Sequence, residues 1–495
     1  MKLLRRIFFF SMLTIPLAVM VLFSFSAYSS RSFGSGVIDG LEIPDDKVFH
    51  IEGGLHGIRD NRFRRSDSGL FEMFVQGAPL ERGVFAGRLS RDLMIRQEQI
   101  FIEMMKRFVR NRLYRFFLKN FIYMFNRSIQ DHIPQEFLQE IYGISRGVEG
   151  LNNELGNAYM RILNYHAAHD IGHMLENMNL VGCTAFSVKG DASINGDLIT
   201  ARNFDFYIGD RFAEEKIVSF IKPDNGIPFM KITWGGMTGV ISGMNLEGLS
   251  VVINAAESGV PNSTGTPVSL VAREILQYAG NIKEAYKIAL ERELFVNQIF
   301  FVSSASDNKS AIIEKKGDTT EIFYPRDDYA ALTNHFVGKL KGSEVQPDSD
   351  PVMNSKGRLK RVKELLESAE KIDEKGAVAI LRDTKGVGGT DVEPGSELAI
   401  NQYLAHHSVV FNNTLKIAYV STSPWQFGEF KAYELEKVFN DFPGLDEDRE
   451  ISTHELTIEA DSFMETDQFQ KVKKSRDDGT FKPDDIRFRK DGLNI

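Results

Sequence analysis

The sequence predicts a mixed α+β protein in which a helical N-terminal part leads into a longer part rich in β-strands. Residues 90–178 carry apolar side chains at the spacing of amphipathic helices. From about residue 180, short β-type runs alternate with turn signals such as Asn195-Gly196-Asp197, which is typical of hairpins between antiparallel strands. Of the 495 residues, 42% are hydrophobic, so the chain can bury a full core.

Charge and cysteine content exclude several classes of function. Lys and Arg number 59 and Asp and Glu number 68, which gives a net charge of −9. This acidic balance argues against a general nucleic-acid binder, so we expect no nucleic-acid partner. The chain has one cysteine, Cys183, and one thiol cannot form an internal disulfide, a Cys-based zinc cluster or an iron–sulfur site. Cys183 is therefore either a small buried hydrophobe or a reactive group.

The first thirty residues have the pattern of an export signal. Three basic residues lie within the first six positions, and residues 7–30 carry no charge. Residues 1–30 are therefore predicted to be a signal peptide, or a signal-anchor, because the apolar run is long enough to cross a bilayer. We expect the rest of the chain to be exported, either periplasmic or otherwise extracytoplasmic, or anchored to the membrane by this segment. A buried N-terminal helix is the remaining alternative.

The part before Cys183 divides into a linker and a helical region. Residues 31–60 are rich in Gly, Ser and charged residues and are predicted to be a linker. Residues 61–182 are predicted to be mainly helical after a turn-rich segment that includes Gly83 and Gly87. Within them, residues 101–127 combine a helical apolar spacing and several aromatics with a strong excess of Lys and Arg. Such a helix either contacts an anionic membrane surface or packs its Phe-rich face on the protein.

The part after residue 180 is predicted to alternate strands with helices. The β-type runs are Thr184–Val188, Leu198–Ala201, Lys216–Ile221, Met230–Thr233, Gly239–Ser242, Leu249–Ile253, Gln298–Ser304, Ser310–Glu314 and Glu321–Tyr324. Two helices broken near Gly280 are predicted over 267–292, and a further helix over Ser355–Ala369. A hairpin is predicted for 407–420, and the charged tail beyond Gly444 is predicted to be peripheral.

The position of Cys183 suggests a specific chemistry. If the bond between Gly182 and Cys183 were cut, Cys183 would become an N-terminal residue with its own α-amino group. The unperturbed pKa of such an amine is about 7.7–8.0, which suits proton abstraction from the thiol. The thiolate is the nucleophilic form of cysteine and needs such a base nearby. A buried structural cysteine at the start of a strand is the alternative.

The segments that follow Cys183 resemble those of a known enzyme family. In order, they are Cys183-Thr184-Ala185-Phe186, Thr200-Ala201-Arg202-Asn203-Phe204-Asp205, Ser242-Gly243-Met244-Asn245, Val252-Ile253-Asn254 and Leu332-Thr333-Asn334-His335. This order resembles the N-terminal nucleophile (Ntn) hydrolases of the choloylglycine hydrolase and acid-ceramidase group. It is most similar to the acyl-coenzyme A:6-aminopenicillanic acid acyltransferase family, over about half of the chain, from Cys183 to about Phe430.

The resemblance implies a fold and a set of site residues. The fold is a four-layer αββα sandwich with two antiparallel sheets face to face, formed by residues 183–495 as the β-chain domain. The implied roles are Cys183 as nucleophile, Arg202 as the arginine near the thiol, Asp205 as the carboxylate that orients the new α-amino group, Asn254 as the oxyanion-hole side chain, Asn334 as the asparagine that holds the site together and Arg358 as the late arginine. Arg361 lies one helical turn from Arg358 and is an open alternative to it.

A histidine cluster just before Cys183 suggests a competing chemistry. His166, His169 and His173 fall on one face of a predicted helix, where they could bind zinc as in a metallohydrolase. No H-E-x-x-H motif accompanies them. They could equally line the cleft beside Cys183 or pack and cap the helix.

Together these patterns predict an enzyme that matures by cutting itself between Gly182 and Cys183 and then hydrolyses or transfers the acyl group of an amide. The abundance of Phe, 38 residues, favours a lipid-like acyl amide over a small β-lactam. No cofactor is expected, and the two chains are expected to stay associated. The alternatives are a phospholipase-B-like lipid hydrolase, a zinc metallohydrolase that uses the histidine cluster, and an uncleaved lipid-binding protein without catalytic activity.

Overall fold

The computed structural model describes residues 36–113, 115, 126–151, 156–174, 181–256, 265–294, 296–344, 348 and 350–477. The predicted leader, residues 1–30, lies outside the described residues. Within the described ranges, no helix combines the length and apolar character needed to cross a membrane.

The described chain contains strands and helices throughout its length. The strands are β1 (Phe49–His50), β2 (His56–Ile58), β3 (Asn61–Arg65), β4 (Phe71–Gly77), β5 (Val181–Val188), β6 (Ile199–Phe206), β7 (Ile217–Pro223), β8 (Phe229–Thr233), β9 (Ser242–Asn245), β10 (Leu249–Ala255), β11 (Gln298–Ser304), β12 (Lys309–Lys316), β13 (Thr319–Phe323), β14 (Tyr329–Leu332), β15 (His407–Asn412), β16 (Ile417–Ser421) and β17 (Phe430–Glu434). The helices are α1 (Pro79–Leu89), α2 (Arg91–Phe108), α3 (Gln135–Arg146), α4 (Ala158–Met174), α5 (Asp210–Glu214), α6 (Val268–Tyr278), α7 (Ile282–Glu291), α8 (Asp350–Ser368), α9 (Glu374–Leu381), α10 (Leu435–Asp441) and α11 (Asp467–Asp477).

These strands form two sheets. The larger has the order β1-β2-β3-β4-β7-β8-β9-β10-β11-β12-β13, and the smaller has the order β14-β5-β6-β15-β16-β17. Neighbouring strands are antiparallel except for β4 and β7, which pair in parallel from Phe71 opposite Ile217 to Gly77 opposite Pro223. The adjacent strands β5 and β6 of the smaller sheet are joined by a short connection, whereas β4 and β7 are far apart in the sequence.

The buried side chains show how the layers are stacked. One apolar cluster contains Phe220 and Phe301 of the larger sheet together with Val409 and Phe411 of the smaller sheet, so these two faces pack against each other. A second cluster joins the other face of the larger sheet to helices that include α1, α3 and α6. A third joins the outer face of the smaller sheet to α8 and α9. The predicted four-layer αββα arrangement is therefore confirmed.

The predicted linker over 31–60 is wrong for its second half. Phe49–His50 and His56–Ile58 are strands at the edge of the larger sheet, where His56 lies opposite Phe63. Strands of two or three residues are too short to show the alternation of apolar and polar residues by which a strand is recognised in a sequence. Their Gly-rich composition therefore indicated a linker instead.

The predicted boundary at residues 182 and 183 does not separate two folding units. Residues 61–182 are not simply helical, because β3 and β4 lie within them. Strand β4 pairs with β7, and β5 itself runs across the boundary from Val181 to Val188. The two parts share the larger sheet, and the helical region of 61–182 packs on that sheet rather than preceding it.

The amphipathic stretch 101–127 is not one continuous helix. Helix α2 ends at Phe108, and Val109 leaves the helical conformation with φ −111° and ψ 82°. The guanidinium of Arg115 donates to the carbonyl of Val109 at 2.6 Å, which satisfies a carbonyl at the helix end. Within α2, Phe101 and Met104 pack against the core, so this part follows the packing alternative. Residues 116–125 lie outside the described residues.

The segment predicted to be turn-rich, around Gly83 and Gly87, is instead helix α1. Both glycines face α3, where a Cβ on Gly83 would lie 2.1 Å from the carbonyl oxygen of Glu140. These glycines allow two helix backbones to touch rather than allowing a turn.

The charged C-terminal tail is part of the folded body as far as residue 477. Phe469 and Val472 of α11 are buried in a cluster that also contains Trp425 and Phe427. The prediction of a peripheral tail is therefore wrong for this segment. Most residues of this segment are charged or polar, so the few apolar side chains that anchor it form no recognisable pattern in the sequence.

The strand predictions after residue 180 agree with the structure in most cases. Strand β11 has the predicted bounds, and the break near Gly280 separates α6 from α7. Ser242–Asn245 is a strand where Gly239–Ser242 was predicted. Strands β14 and β17 were not predicted.

Candidate active site

Cys183 lies inside a strand of the smaller sheet. Strand β5 pairs with β6 so that Cys183 is opposite Phe204, and the side chain of Cys183 is buried between the sheets. Its backbone N–H donates to Oδ1 of Asn334 at 2.7 Å. The nucleophile candidate is therefore held through its main chain as well as by packing.

Arg202 contacts the thiol from the neighbouring strand. It lies two residues before Phe204 and so shares the inner face of β6 with it. Its Nη2 is 3.3 Å from Sγ of Cys183 and donates to the carbonyl of Ile253 at 2.5 Å. Its Nη1 donates to Oγ of Ser242 at 2.5 Å. The buried guanidinium thus connects the thiol to strands of the facing sheet.

Burial and charge act on the thiol in opposite directions. Burial raises the pKa of Cys183 above its ordinary value, Arg202 lowers it, and the negative charge of Asp205 raises it. The balance is a raised pKa in the uncut chain, which favours the neutral thiol. Arg202 is nevertheless the group whose charge favours the thiolate.

Asp205 lies beside the peptide bond proposed to be cut. Its register partner on β5 is Gly182, and it points to the opposite face of the sheet from Arg202 because the two residues lie three positions apart on the strand. A Cβ on Gly182 would lie 3.0 Å from Nε2 of Gln402 and 3.4 Å from Cβ of Asp205. A side chain at this position would therefore require the amide of Gln402 to move.

Asn334 joins the main chain of Cys183 to Arg358. Its Oδ1 accepts from the backbone N–H of Cys183 and from Nη2 of Arg358, the latter at 2.9 Å. Its Nδ2 donates to the carbonyl of Ala255 at 3.2 Å, and its backbone N–H donates to Oγ of Ser355 at 2.7 Å. The side chain is thus fixed at both ends of its amide.

The structure distinguishes the two arginines of α8 that the sequence left open. Arg358 donates to Asn334 and also to the carbonyl of Glu397 at 2.7 Å. Arg361 instead donates from Nε and Nη2 to the carboxylate of Asp383 at 2.8 and 3.1 Å. Arg358 is therefore the arginine that reaches the candidate site.

Asn254 approaches from the larger sheet. It lies near the end of β10, is completely buried, and its Nδ2 donates to the carbonyl of Thr333 at 3.1 Å. An amide nitrogen has two N–H groups, so the second one remains for another acceptor. With Asn254, the structure gathers side chains from both sheets and from α8 around the main chain of Cys183.

His166 from the histidine cluster is engaged in packing. Its Nδ1 bonds the carbonyl of Ile162 and its Nε2 accepts from the backbone N–H of Thr238, both at 2.8 Å. Burial lowers the pKa of His166 to about 4, so the ring is neutral with both nitrogens occupied. The side chains of His169 and His173 lie outside the described residues. The described part of the chain contains no group of three potential metal ligands.

Sequence reasoning missed several residues that hold these side chains. Ser355 accepts from Asn334, and Ser242 accepts from Arg202. Ser242 was part of a quoted motif, but nothing in that motif shows that its hydroxyl faces Arg202. That contact depends on which strands of the two sheets face each other.

Comparison with known proteins agrees with the motifs. The family described as acyl-coenzyme A:6-aminopenicillanic acid acyl-transferase matches residues 193–390. This match is shorter than the range that the motifs suggested, and it begins after Cys183. A curated relative, Protein dcd1B of Dictyostelium discoideum, is 21% identical over 199 residues. That alignment covers 40% of this chain and 37% of the relative, so the chain spans well under half of the relative's length.

Three solved structures were also found to be similar. A Caenorhabditis elegans N-acylethanolamine-hydrolyzing acid amidase ortholog is 18% identical, covering 47% of this chain and 94% of that one, with a TM-score of 0.35. Penicillin V acylase from Agrobacterium tumefaciens is 17% identical, covering 52% and 87%, with a TM-score of 0.34. A mutant conjugated bile acid hydrolase from Clostridium perfringens is 14% identical, covering 55% and 96%, with a TM-score of 0.34.

At these TM-scores, the description of the fold rests on the strand order and the layers given above. The resemblance predicted from the motifs is confirmed by the family match within the range that the match covers. Residues 193–390 are thus similar to the acyl-coenzyme A:6-aminopenicillanic acid acyl-transferase family.

Proposed function

We propose that the protein is a cysteine Ntn hydrolase or acyltransferase that cuts its own chain between Gly182 and Cys183 and then acts on acyl amides. The observation that carries the proposal is that both the backbone nitrogen and the sulfur of Cys183 are in contact with polar side chains. Its N–H is bonded to Asn334 at 2.7 Å, and its Sγ lies 3.3 Å from Arg202. These contacts fix both the thiol and the nitrogen that would become the new amine.

Maturation begins with attack of the Cys183 sulfur on the carbonyl carbon of Gly182. The thiol proton is lost, the C–N bond breaks, and the freed nitrogen takes up a proton. The product of this N→S shift is a thioester between Gly182 and Cys183. Water then hydrolyses the thioester, which leaves a carboxylate on Gly182 and a free thiol and α-amine on Cys183.

Turnover uses the amine that maturation creates. The α-amine removes the thiol proton, because its unperturbed pKa of about 7.7–8.0 matches neutral conditions. The sulfur attacks the substrate carbonyl, and the oxyanion that forms accepts from the second N–H of Asn254. The α-ammonium protonates the leaving amine. Water resolves the acyl thioester in hydrolysis, and a second amine resolves it in acyl transfer.

Asn334, Arg358 and Asp205 have supporting roles in this scheme. Asn334 Oδ1 already accepts from the Cys183 nitrogen, so it remains an acceptor for the new amine. Arg358 donates to the same oxygen and orients it. Asp205 lies opposite Gly182 in the strand register, where a carboxylate favours a protonated amine.

An acyl chain is the part of the substrate that the surroundings favour. Phe204, opposite Cys183, stacks on Phe206 with ring centroids 5.4 Å apart. Phe206 in turn stacks on Trp234 at 6.0 Å, and Trp234 contacts Phe212 at 5.8 Å. Such a row of aromatic rings beside the thiol suits an apolar acyl group, so we propose a lipid-like acyl amide as substrate and hydrolysis as the default reaction.

The site of action follows from the proposed leader. The composition of residues 1–30 supports export or membrane anchoring of the enzyme. Outside the cytoplasm water is always available and acyl-coenzyme A usually is not, which makes hydrolysis the default reaction.

Self-cleavage is tested by intact mass spectrometry and a denaturing gel of the purified full-length protein. The expected result is two wild-type fragments, the larger beginning at Cys183, and a single uncut chain for Cys183→Ala. Asn254→Ala serves as a second variant, and we expect it to slow turnover of N-acyl amides by about 10²-fold or more, as loss of an oxyanion donor does. An uncut wild-type chain would exclude the amine-based mechanism.

A further inference from the structure

A line of buried hydrogen bonds leads away from the thiol through Arg202 into the space between the sheets. Nη1 of Arg202 donates to Oγ of Ser242, and the same Oγ lies 2.8 Å from Nε2 of His407. Nδ1 of His407 lies 2.9 Å from Nδ1 of His406. All four of these residues are buried, so water does not replace any of these bonds.

One hydrogen bond of this line has a direction fixed by chemistry. A guanidinium only donates hydrogen bonds, so Oγ of Ser242 accepts from Arg202. A hydroxyl can also donate one bond or accept a second one, so Ser242 can bond to either tautomer of His407. In both cases Ser242 lies between Arg202 and His407.

Both imidazoles remain neutral under ordinary conditions. Burial lowers the pKa of His407 well below its ordinary value, and the neighbouring His406, Arg202 and Lys216 lower it further. The pKa of His406 is lowered in the same direction, first by burial and then by Lys216 and Arg202. A neutral His407 bonds to Ser242 without adding a second positive charge beside Arg202.

We propose that Ser242 and His407 are positioning residues that hold the guanidinium of Arg202 in one orientation against Sγ of Cys183. The inference rests on the proposed function for its catalytic consequence, because Arg202 is the charge that favours the thiolate. His407 lies opposite Phe204 on the strand next to β6, and Arg202 lies 4.5 Å from the Phe204 ring. The line contacts Nη1 of Arg202, whereas the thiol contacts Nη2.

Without Ser242, Arg202 would lose its shortest side-chain contact. Nη1 would keep only the carbonyl of Ile241 at 3.2 Å, and within the described residues Nε of Arg202 has no partner. Nη2 would then remain shared between the thiol and the carbonyl of Ile253. A guanidinium held by carbonyls alone can turn toward them, which weakens its contact with the sulfur.

The single cysteine makes a direct test practical. Protein labelled with ¹³C at the cysteine Cβ gives one resonance, whose chemical shift follows ionisation of the Cys183 thiol as the pH is changed. We expect Ser242→Ala to move the midpoint of this titration upward by about half to one pH unit, a three- to tenfold loss in the preference for the thiolate. His407→Phe is expected to move it in the same direction, and His407→Gln, whose amide retains both a donor and an acceptor, to move it less.

Ser250→Ala is the matched control. Ser250 lies in the same sheet, is equally buried, and its Oγ accepts a hydrogen bond from Nδ2 of Asn413 at 2.8 Å. It does not contact Arg202, so the midpoint should equal that of the wild type although a buried hydroxyl has been removed. Equal midpoints for Ser242→Ala and Ser250→Ala would overturn the inference.

Folding and self-cleavage are followed separately in the same samples. Thermal unfolding reports whether each variant is folded. If Ser242→Ala does not fold, the titration midpoints of His407→Phe and His407→Gln are compared instead, and equal midpoints for these two variants and the wild type would overturn the inference. A wild-type chain that stays uncut would contradict the proposed function but would leave the titration readable, because Arg202 contacts the thiol in the uncut chain. Failure of the inference and failure of the proposed function therefore give different results.

Discussion

The oxygen of a single amide, Oδ1 of Asn334, lies at the centre of the candidate site. It accepts from the main-chain N–H of Cys183 and from Nη2 of Arg358. The contact with a charged donor strengthens the hold on this oxygen, since hydrogen bonds to ionised groups are stronger than neutral ones. We therefore propose that Arg358 acts on Cys183 through Asn334, as a positioning residue.

Replacing Arg358 by Ala tests this arrangement. The variant leaves Asn334 with one donor fewer and should slow both self-cleavage and amide turnover by about tenfold or more, as expected for the loss of a buried charged hydrogen bond. Arg361→Ala is the control from the same helix, because Arg361 bonds Asp383 instead. Cleavage rates are read from timed denaturing gels, and equal slowing by the two variants would contradict the assigned role of Arg358.

The motifs predicted the six candidate residues individually, but they did not predict the contacts between them. Arg358 and Arg361 have the same residue type and lie three positions apart on one helix, so periodicity alone does not separate them. Which of the two arginines reaches the site depends on the distance from α8 to the loop that carries Asn334. That distance is set by packing between elements far apart in the sequence.

At the scale of elements, helices α1 and α3 lie in close contact. Four glycines line it, and a Cβ on Gly83 would lie 2.1 Å from the carbonyl oxygen of Glu140, while one on Gly147 would lie 2.2 Å from that of Gly87. The ion pair of Arg82 with Glu140, at 2.8 Å and almost fully buried, spans the same contact. The two helices therefore touch through their backbones.

Two Gly→Ala substitutions in helices should have opposite effects on the free energy of unfolding. Gly83→Ala should destabilise the protein by about 1–3 kcal/mol or more, because the methyl group meets backbone rather than a flexible side chain. Gly357→Ala, in α8, should stabilise it by about 0.5–1 kcal/mol, since the added Cβ would lie 3.6 Å from Cδ2 of Leu398 and alanine favours the helix. Urea unfolding measures both, and equal signs would contradict the backbone contact.

The sequence indicated a turn where α1 lies because both glycine and proline are common in turns and Pro79 stands at the start of this segment. Pro at the first position of a helix is equally favourable, and Gly83 and Gly87 are four residues apart, which is one helical turn. The same residues, one proline followed by two glycines, are therefore compatible with a turn and with a helix. What separates them is the presence of a second glycine-bearing helix, α3, which lies far along the chain.

At the scale of the whole molecule, the parallel pairing of β4 with β7 explains why the chain before the proposed cut is not a separate domain. Each strand provides partners for the other over seven residue pairs from Phe71 to Gly77. Local pattern predicts that a run of residues is a strand, but not which distant strand it will pair with. The layers were therefore predictable from the family resemblance, whereas the contribution of residues 49–77 to the larger sheet was not.

This pairing predicts how the two chains behave after cleavage. Fragments 1–182 and 183–495 should elute together in gel filtration, even at high salt, because apolar burial and backbone hydrogen bonds rather than surface charges join them. They should separate only in denaturant. Residues 183–495 produced alone should aggregate, since β7 would expose an unpaired strand edge in what is the middle of the intact sheet. Co-production with residues 1–182 should restore solubility, and a soluble, cooperatively unfolding 183–495 fragment would show that β4 is dispensable for the fold.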